Sequence, residues 1–342
     1  MNCNIFRKFY HRPTKKESKR LDMAERPINF REDYFNEFLK SLSQEDFICY
    51  PSEEEYQSLT DRIAKVNKLN PDQICLGSGS DSLIKDFFNI RTRRCSYFVS
   101  SFPCFPMYSV YGDMFDIYME KIEFDRSLNI YVEDIIKKVT RECAFVVLAN
   151  PNSPFGDHKS KEEIRYLLEH LKALHIPLLL DEAYVDFADY SCIDLINEFN
   201  NLYVLRTFSK AWGGAGARCG YIASCPDNVK RFQNIRNSFV LTGPTIKYIN
   251  WLLDHSNLKE IHLSQLKYEK NKIIVELNDR YKIINGHTNW IHIKDIDDSC
   301  KLSDHLKSYD ISYKDNIDIP FHGDGWSRIC IFNGLFKILK YE

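Results

Sequence analysis

The chain has 342 residues, of which 44% are hydrophobic and 14% aromatic, and its formal charge is −2 at neutral pH. That much apolar material supports a sizeable core, in two domains or in one large domain with an appendage, and excludes a disordered chain. The near-neutral balance excludes the basic footprint of a nucleic-acid or membrane-surface binder.

The eleven cysteines are odd in number and scattered, with no Cys-x-x-Cys. They read as reduced thiols of a cytosolic protein rather than as a disulfide framework. The N-terminus carries Arg7, Lys8, Arg12, Lys15, Lys16, Lys19 and Arg20 but lacks the apolar run of a signal peptide. There is no run of about eighteen apolar residues, so no membrane span is expected. The expected compartment is the cytoplasm.

In chain order, the polar residues up to about 27 read as a mobile arm. Tyr56 to Leu69 has helical spacing, with Leu59, Ile63 and Val66 on one face. Gln73 to Leu76 reads as a strand, followed by a glycine turn at Gly77 and Gly79 and a helical pattern through Leu83, Ile84, Phe87 and Phe88. Strand, turn and helix in that order place a helix N-terminus where it can hold an anion. Further strands are read at Cys95 to Ser100, Phe145 to Leu148, Ile176 to Leu180, Leu202 to Phe208 and Gly220 to Ser224. Between them Ser160 and Glu163 form a candidate capping box, ahead of an apolar face of Ile164, Leu167, Leu168, Leu171 and Leu174. Apolar strands alternating with helices predict an α/β fold with a mainly parallel sheet covered on both faces. In such sheets ligands gather at the carboxyl ends of the strands. From Gly243 the chain turns charged and helical to Leu277, then becomes a smaller mixed region. The expected division is 1–45 as arm and small-domain segment, 46–243 as the large domain and 244–342 as a small C-terminal domain.

One stretch concentrates the chemistry. Lys210 follows the apolar run Leu202 to Phe208, with hydroxyls at Thr207 and Ser209, glycines at Gly213, Gly214 and Gly216, and Arg218 after them. A lysine amine can form a Schiff base once its surroundings favour the neutral form, and an arginine with hydroxyls supplies fixed donors for phosphate oxygens. The bland alternative is a glycine-rich turn with a solvated lysine. Gly77 and Gly79 do not complete a dinucleotide fingerprint, because Ser82 stands at the third glycine position. No His-Glu-x-x-His, Gly-x-Ser-x-Gly or Walker loop occurs, and no metal site is expected.

The pattern around Lys210 resembles the Schiff-base segment of fold type I pyridoxal-phosphate enzymes. It is most similar to the group of histidinol-phosphate aminotransferases and threonine-phosphate decarboxylases. The resemblance runs from about residue 28 to 333, with the motifs in the family's order. It implies a seven-stranded-type sheet, pyridoxal 5′-phosphate as cofactor, and a homodimer with shared active sites. Lys210 would bond the cofactor aldehyde and shuttle the proton, and Arg218 would bind the phosphate together with Gly79, Ser80, Asp81, Thr207 and Ser209. Asp181 would pair with the pyridinium nitrogen, an assignment that also gives this carboxylate after a buried strand a partner. Tyr184 would bond the ring hydroxyl. Phe105 would lie on the ring, with Tyr108 as the alternative.

The resemblance is imperfect in places. Where the family has a second asparagine, this chain has Ser153, beside Asn152. A family asparagine before glutamate is matched to Arg31, which borders the substrate in this reading. Tyr50 would reach the neighbouring subunit's phosphate, and Arg328 would clamp the substrate's anionic group. A second arginine is missing, with Lys337 and Lys340 as candidate replacements. The implied activity is an aminotransferase acting on an amino acid or a small amine, phosphorylated or not. The alternative is a decarboxylase of a phosphorylated amino acid.

Overall fold

The computed structural model describes residues 19–27, 29–93, 96–297 and 301–340. Seven strands form the larger sheet: β1 (Ile74–Gly77), β2 (Tyr97–Phe102), β3 (Tyr118–Glu123), β4 (Cys143–Ala149), β5 (Leu178–Asp181), β6 (Leu202–Thr207) and β7 (Gly220–Ala223). Their spatial order is β1-β7-β6-β5-β4-β2-β3, and β7 alone runs against the rest. Apolar runs revealed six of these strands. The seventh, β3, is an edge strand whose Glu120, Lys121 and Glu123 interrupt any apolar pattern. The expected start of β2 at Cys95 lies outside the described residues.

Both faces of this sheet are buried, because alternate side chains point to opposite sides. Val146, Leu148, Leu178, Leu180, Leu202 and Val204 enter one apolar cluster, and Phe145, Val147, Leu179, Tyr203 and Leu205 enter another. Helices α1 (Glu53–Asn67), α2 (Gly79–Arg91), α3 (Pro106–Met114) and α4 (Lys161–Ala173) connect or cover the strands. The capping box at α4 is present: Glu163 N–H donates to Ser160 Oγ at 3.1 Å and Ser160 N–H donates to Glu163 Oε2 at 2.7 Å. On α1, Leu59 and Ile63 are buried as expected, but Val66 is 57% exposed. The charged stretch after 243 is two helices, α5 (Gly243–Asp254) and α6 (Ser256–Glu276), separated at His255.

The smaller sheet is antiparallel, with β8 (Tyr281–Asn285), β9 (Trp290–Asp295), β10 (Lys314–Ile319) and β11 (Gly323–Cys330) in the order β10-β11-β9-β8. It has its own core, built around Trp290, Ile291, Ile293, Ile329 and Leu335. Residues 19–24, expected within a mobile arm, are tied to this domain instead, with Leu21 and Ala24 in its core. Lys19 and Arg20 pair in parallel with Ile311 and Ser312, and Leu21 and Ala24 are buried. Residues 1–18 of the expected arm lie outside the described residues. None of the eight described cysteines is in a disulfide, and no described helix is long and apolar enough to cross a membrane.

Candidate active site

The carboxyl ends of β1, β5 and β6 and the start of β7 bring Gly79, Ser80, Asp181, Lys210 and Arg218 together at one candidate site. Its floor is glycine. At Gly79, where φ is +76°, an added Cβ would stand 2.4 Å from the Arg218 guanidinium. At Gly220 it would stand 2.6 Å from the Ser80 amide nitrogen. Only glycine lets the N-terminus of α2 and the start of β7 approach this closely while leaving the amides open to an anion. Arg218 itself takes a left-handed φ of +53° and donates to Ala215 O at 3.3 Å. That conformation is costly for an arginine and turns its guanidinium towards the helix terminus. Thr207 Oγ1 accepts from the Ser209 amide at 3.1 Å, which fixes the turn leading to Lys210. Asp81, at the start of α2, accepts a hydrogen bond from Tyr111 Oη at 2.8 Å.

Lys210 Nζ donates to Met23 O at 3.0 Å and stands 5.3 Å from the Tyr184 ring centre. Asp181 ends β5, only 6% exposed. Its carboxylate accepts from Tyr108 Oη at 2.7 Å and from the Ala183 amide at 3.0 Å. Burial pushes its carboxyl above the ordinary range, while the Tyr108 hydrogen bond, the Ala183 amide and the Lys210 charge pull the other way. Tyr108, the alternative ring-stacker, is therefore a hydrogen-bond donor to Asp181. Phe105 is half-buried and meets Tyr108 edge-on at 5.7 Å.

The loop after β4 sorts its two asparagines. Asn150 is a structural clamp, with Lys159 N–H donating to its Oδ1 at 2.7 Å and its Nδ2 donating to Lys159 O at 3.1 Å. Asn152 Nδ2 donates to Ser101 Oγ at 3.0 Å, and Asn152 Oδ1 is buried without a hydrogen-bond partner. Ser153 is half-buried beside it. Tyr184 meets Trp290 of the smaller sheet edge-on at 4.7 Å.

These residues fit an aldehyde-bearing phosphate cofactor. The glycine cradle faces the arginine, the lysine and the buried carboxylate lie beyond it, and an orphaned amide oxygen awaits a donor.

Arg328, on β11, stands with its guanidinium 5.0 Å from the Trp290 ring centre and donates to Asp22 O at 2.7 Å. Its Nε is buried without a partner. Two neighbours escaped the sequence reading. Lys314 on β10 is the cross-strand partner of Arg328. Burial, then the charge of Arg328, lowers its amine to about 8, and Lys210 is close enough to contribute. Asp22 is the second. Lys337 and Lys340, the expected replacements for the second arginine, are exposed on the last helix. Arg31 stands apart, exposed and paired with Asp33 at 2.6 Å. Tyr50 is 78% exposed and stacks on Phe239 at 4.3 Å.

The family model for aminotransferase class I and II matches residues 21–333. A histidinol-phosphate aminotransferase of Thermococcus gammatolerans is 30% identical over 260 residues, covering 76% of this chain and 74% of that protein. One from Pyrococcus furiosus is 28% identical, covering 74% of this chain and 72% of that protein. The crystal structure of histidinol-phosphate aminotransferase from Sinorhizobium meliloti, solved in complex with pyridoxal-5′-phosphate, superposes with a TM-score of 0.82 at 21% identity. That match covers 94% of this chain and 88% of the other. L-threonine-O-3-phosphate decarboxylase from Porphyromonas gingivalis superposes with a TM-score of 0.77 at 18% identity, covering 94% and 98% of the two chains.

Proposed function

Because the chain belongs to the aminotransferase class I and II family, we propose that it transfers the amino group of an amino acid or a small amine, phosphorylated or not, from the pocket around Lys210. The observation that carries this reading is the convergence of Lys210, buried Asp181 and the Arg218–Gly79 cradle below Arg328. Pyridoxal phosphate, the family's cofactor, supplies when bound an electron-withdrawing ring that weakens the bonds at the substrate's α-carbon.

The chain's own residues do the rest. The amides at the start of α2, with Ser80, Thr207, Ser209 and Arg218, hold the phosphate. Asp181 supplies the negative charge for the ring nitrogen, and Tyr108 and Ala183 hold that carboxylate in place. Asn152, whose Oδ1 has no partner, with Ser153 and Tyr184 would serve the ring hydroxyl, and Phe105 would cover the ring. Lys210 Nζ accepts the proton from the substrate's α-carbon and returns it, a general acid–base role. Arg328 orients the substrate through its anionic group.

We further propose a cytoplasmic homodimer. Phe47, Ile48, Tyr50 and Phe239 are 67%, 71%, 78% and 51% exposed, an apolar surface that a second copy would cover.

A product screen with amino acids and phosphorylated amines tests the activity. The expected result is a keto or aldehyde product with the amine form of the cofactor. Released carbon dioxide without amino transfer would replace this reading with the decarboxylase alternative.

A further inference from the structure

A second carboxylate follows Asp181 directly. Glu182 extends the pairing of β5 with β6, its amide donating to Leu205 O at 2.9 Å. Successive residues of a strand point to opposite faces. Glu182 and Arg206 therefore share the face of Leu180 and Val204, opposite to the one on which Asp181 meets Tyr108. The Glu182 side chain is fully buried and that of Arg206 is 14% exposed. Arg206 Nε donates to Glu182 Oε2 at 2.9 Å, and its Nη2 donates to Ser191 Oγ at 2.5 Å. Ser191 Oγ donates to Glu182 Oε2 at 2.7 Å, and the Cys192 amide donates to Oε1 at 2.7 Å. Both oxygens of this carboxylate are satisfied, and the loop at Ser191 is tied to the ends of two strands. Asp186, whose charge also reaches Arg206, is held by Lys259 at 3.0 Å. Tyr221, the cross-strand neighbour of Arg206 on β7, donates to Asn67 Oδ1 at 3.1 Å.

The groups around Asp181 come from three elements. Tyr108 on α3, the Ala183 amide and the Lys210 charge favour its ionised form, and Glu182 opposes it. Cys104 and Tyr184 act on the same spot through the Tyr108 hydroxyl. Glu182 alone would put a unit negative charge next to the carboxylate that must itself stay negative. Arg206 places the opposite charge against Glu182, so the two together present little net field to Asp181. Taking away either partner of a buried pair leaves the other charge uncompensated.

We propose that Arg206 and Glu182 are positioning residues for Asp181, a neutral pair that joins the ends of β5 and β6 and shields the ring-nitrogen site from the Glu182 charge. The inference rests on the aminotransferase reading and deepens it. The pair acts through Asp181 and not on the reacting atoms.

The test reads the pH at which the protein loses half its cofactor affinity, by absorbance titration, with circular dichroism as the check on folding. Ionised Asp181 attracts the protonated ring nitrogen, so affinity is present above the pKa of this carboxyl and is lost as pH falls through it. Glu182→Gln removes the negative charge and leaves that of Arg206, so the midpoint should fall by roughly one pH unit, the effect of one nearby unit charge in a partly buried site. Arg206→Met leaves Glu182 uncompensated, and the midpoint should rise by a similar amount. The double variant should return close to wild type. Damage to packing alone would move both single variants the same way. Any pattern other than opposite shifts therefore overturns the inference while leaving amino transfer intact. Should one single variant not fold, the other decides alone by the sign of its shift. If wild type shows no visible cofactor band at any pH, the aminotransferase reading fails, and this inference falls with it.

Discussion

Tyr108 and Ala183 each give Asp181 one hydrogen bond, but only the tyrosine can be removed by substitution. Burial favours the neutral carboxyl and these donors favour the charged one. In Tyr108→Phe the carboxyl therefore titrates at higher pH than in wild type, and the acid limb of the activity profile moves upward. A limb that stays in place would show that Tyr108 does not govern this charge. Lys210→Ala should keep the fold, judged by circular dichroism, and lose turnover. Borohydride should fix the cofactor of wild type on the peptide containing Lys210, and labelling at another lysine would contradict the assignment. Arg328→Lys keeps the charge but loses the planar fork. It should cost about 1.5–3 kcal/mol in substrate binding and leave cofactor binding unchanged. Lys210, Asp181 and Arg218 were legible because short motifs carry them at fixed offsets from strand ends. Lys314 and Asp22 were not. The first depends on a strand register broken by bulges between Lys314 and Ile319, and the second on a pairing with residues about three hundred positions away.

At the scale of elements, the cofactor cradle is a close approach of one helix terminus and one strand. Gly79→Ala would put a Cβ 2.4 Å from Arg218 at a φ of +76°, so cofactor affinity should fall at least about tenfold while the fold survives. Equal affinity by spectral titration would place the phosphate elsewhere. Ser160→Ala probes an element away from the site. It removes one side of the α4 capping box and should cost about 1 kcal/mol in denaturant unfolding without altering the cofactor spectrum. That cap was readable because its two partners lie three residues apart and need nothing else. Strands β4, β5 and β6 were readable as apolar runs, since central parallel strands are buried on both faces. The edge strand β3 was not, because solvent on its rim admits charges that erase the pattern. Val66 shows the same limit in a helix, where spacing marks a face but not what covers it.

At the scale of the whole molecule, the exposed aromatics around Tyr50 predict a dimer with shared sites. Sedimentation at assay concentrations should report twice the chain mass, and a monomer would count against it. Mixing Lys210→Ala chains with Tyr50→Phe chains should restore one undamaged site per heterodimer. The segment from Lys19 to Ala24 also sets an order of events during synthesis. The larger sheet is complete once residue 223 has emerged, yet Leu21 waits for the amide of Cys330. At typical ribosomal rates of about 5–20 residues per second, those last hundred or so residues take roughly 5–20 s. For that interval the nascent chain holds a finished cofactor floor without its roof. Protease added to stalled ribosomes should therefore cut near Met23 until the final strand is made, and spare it afterwards.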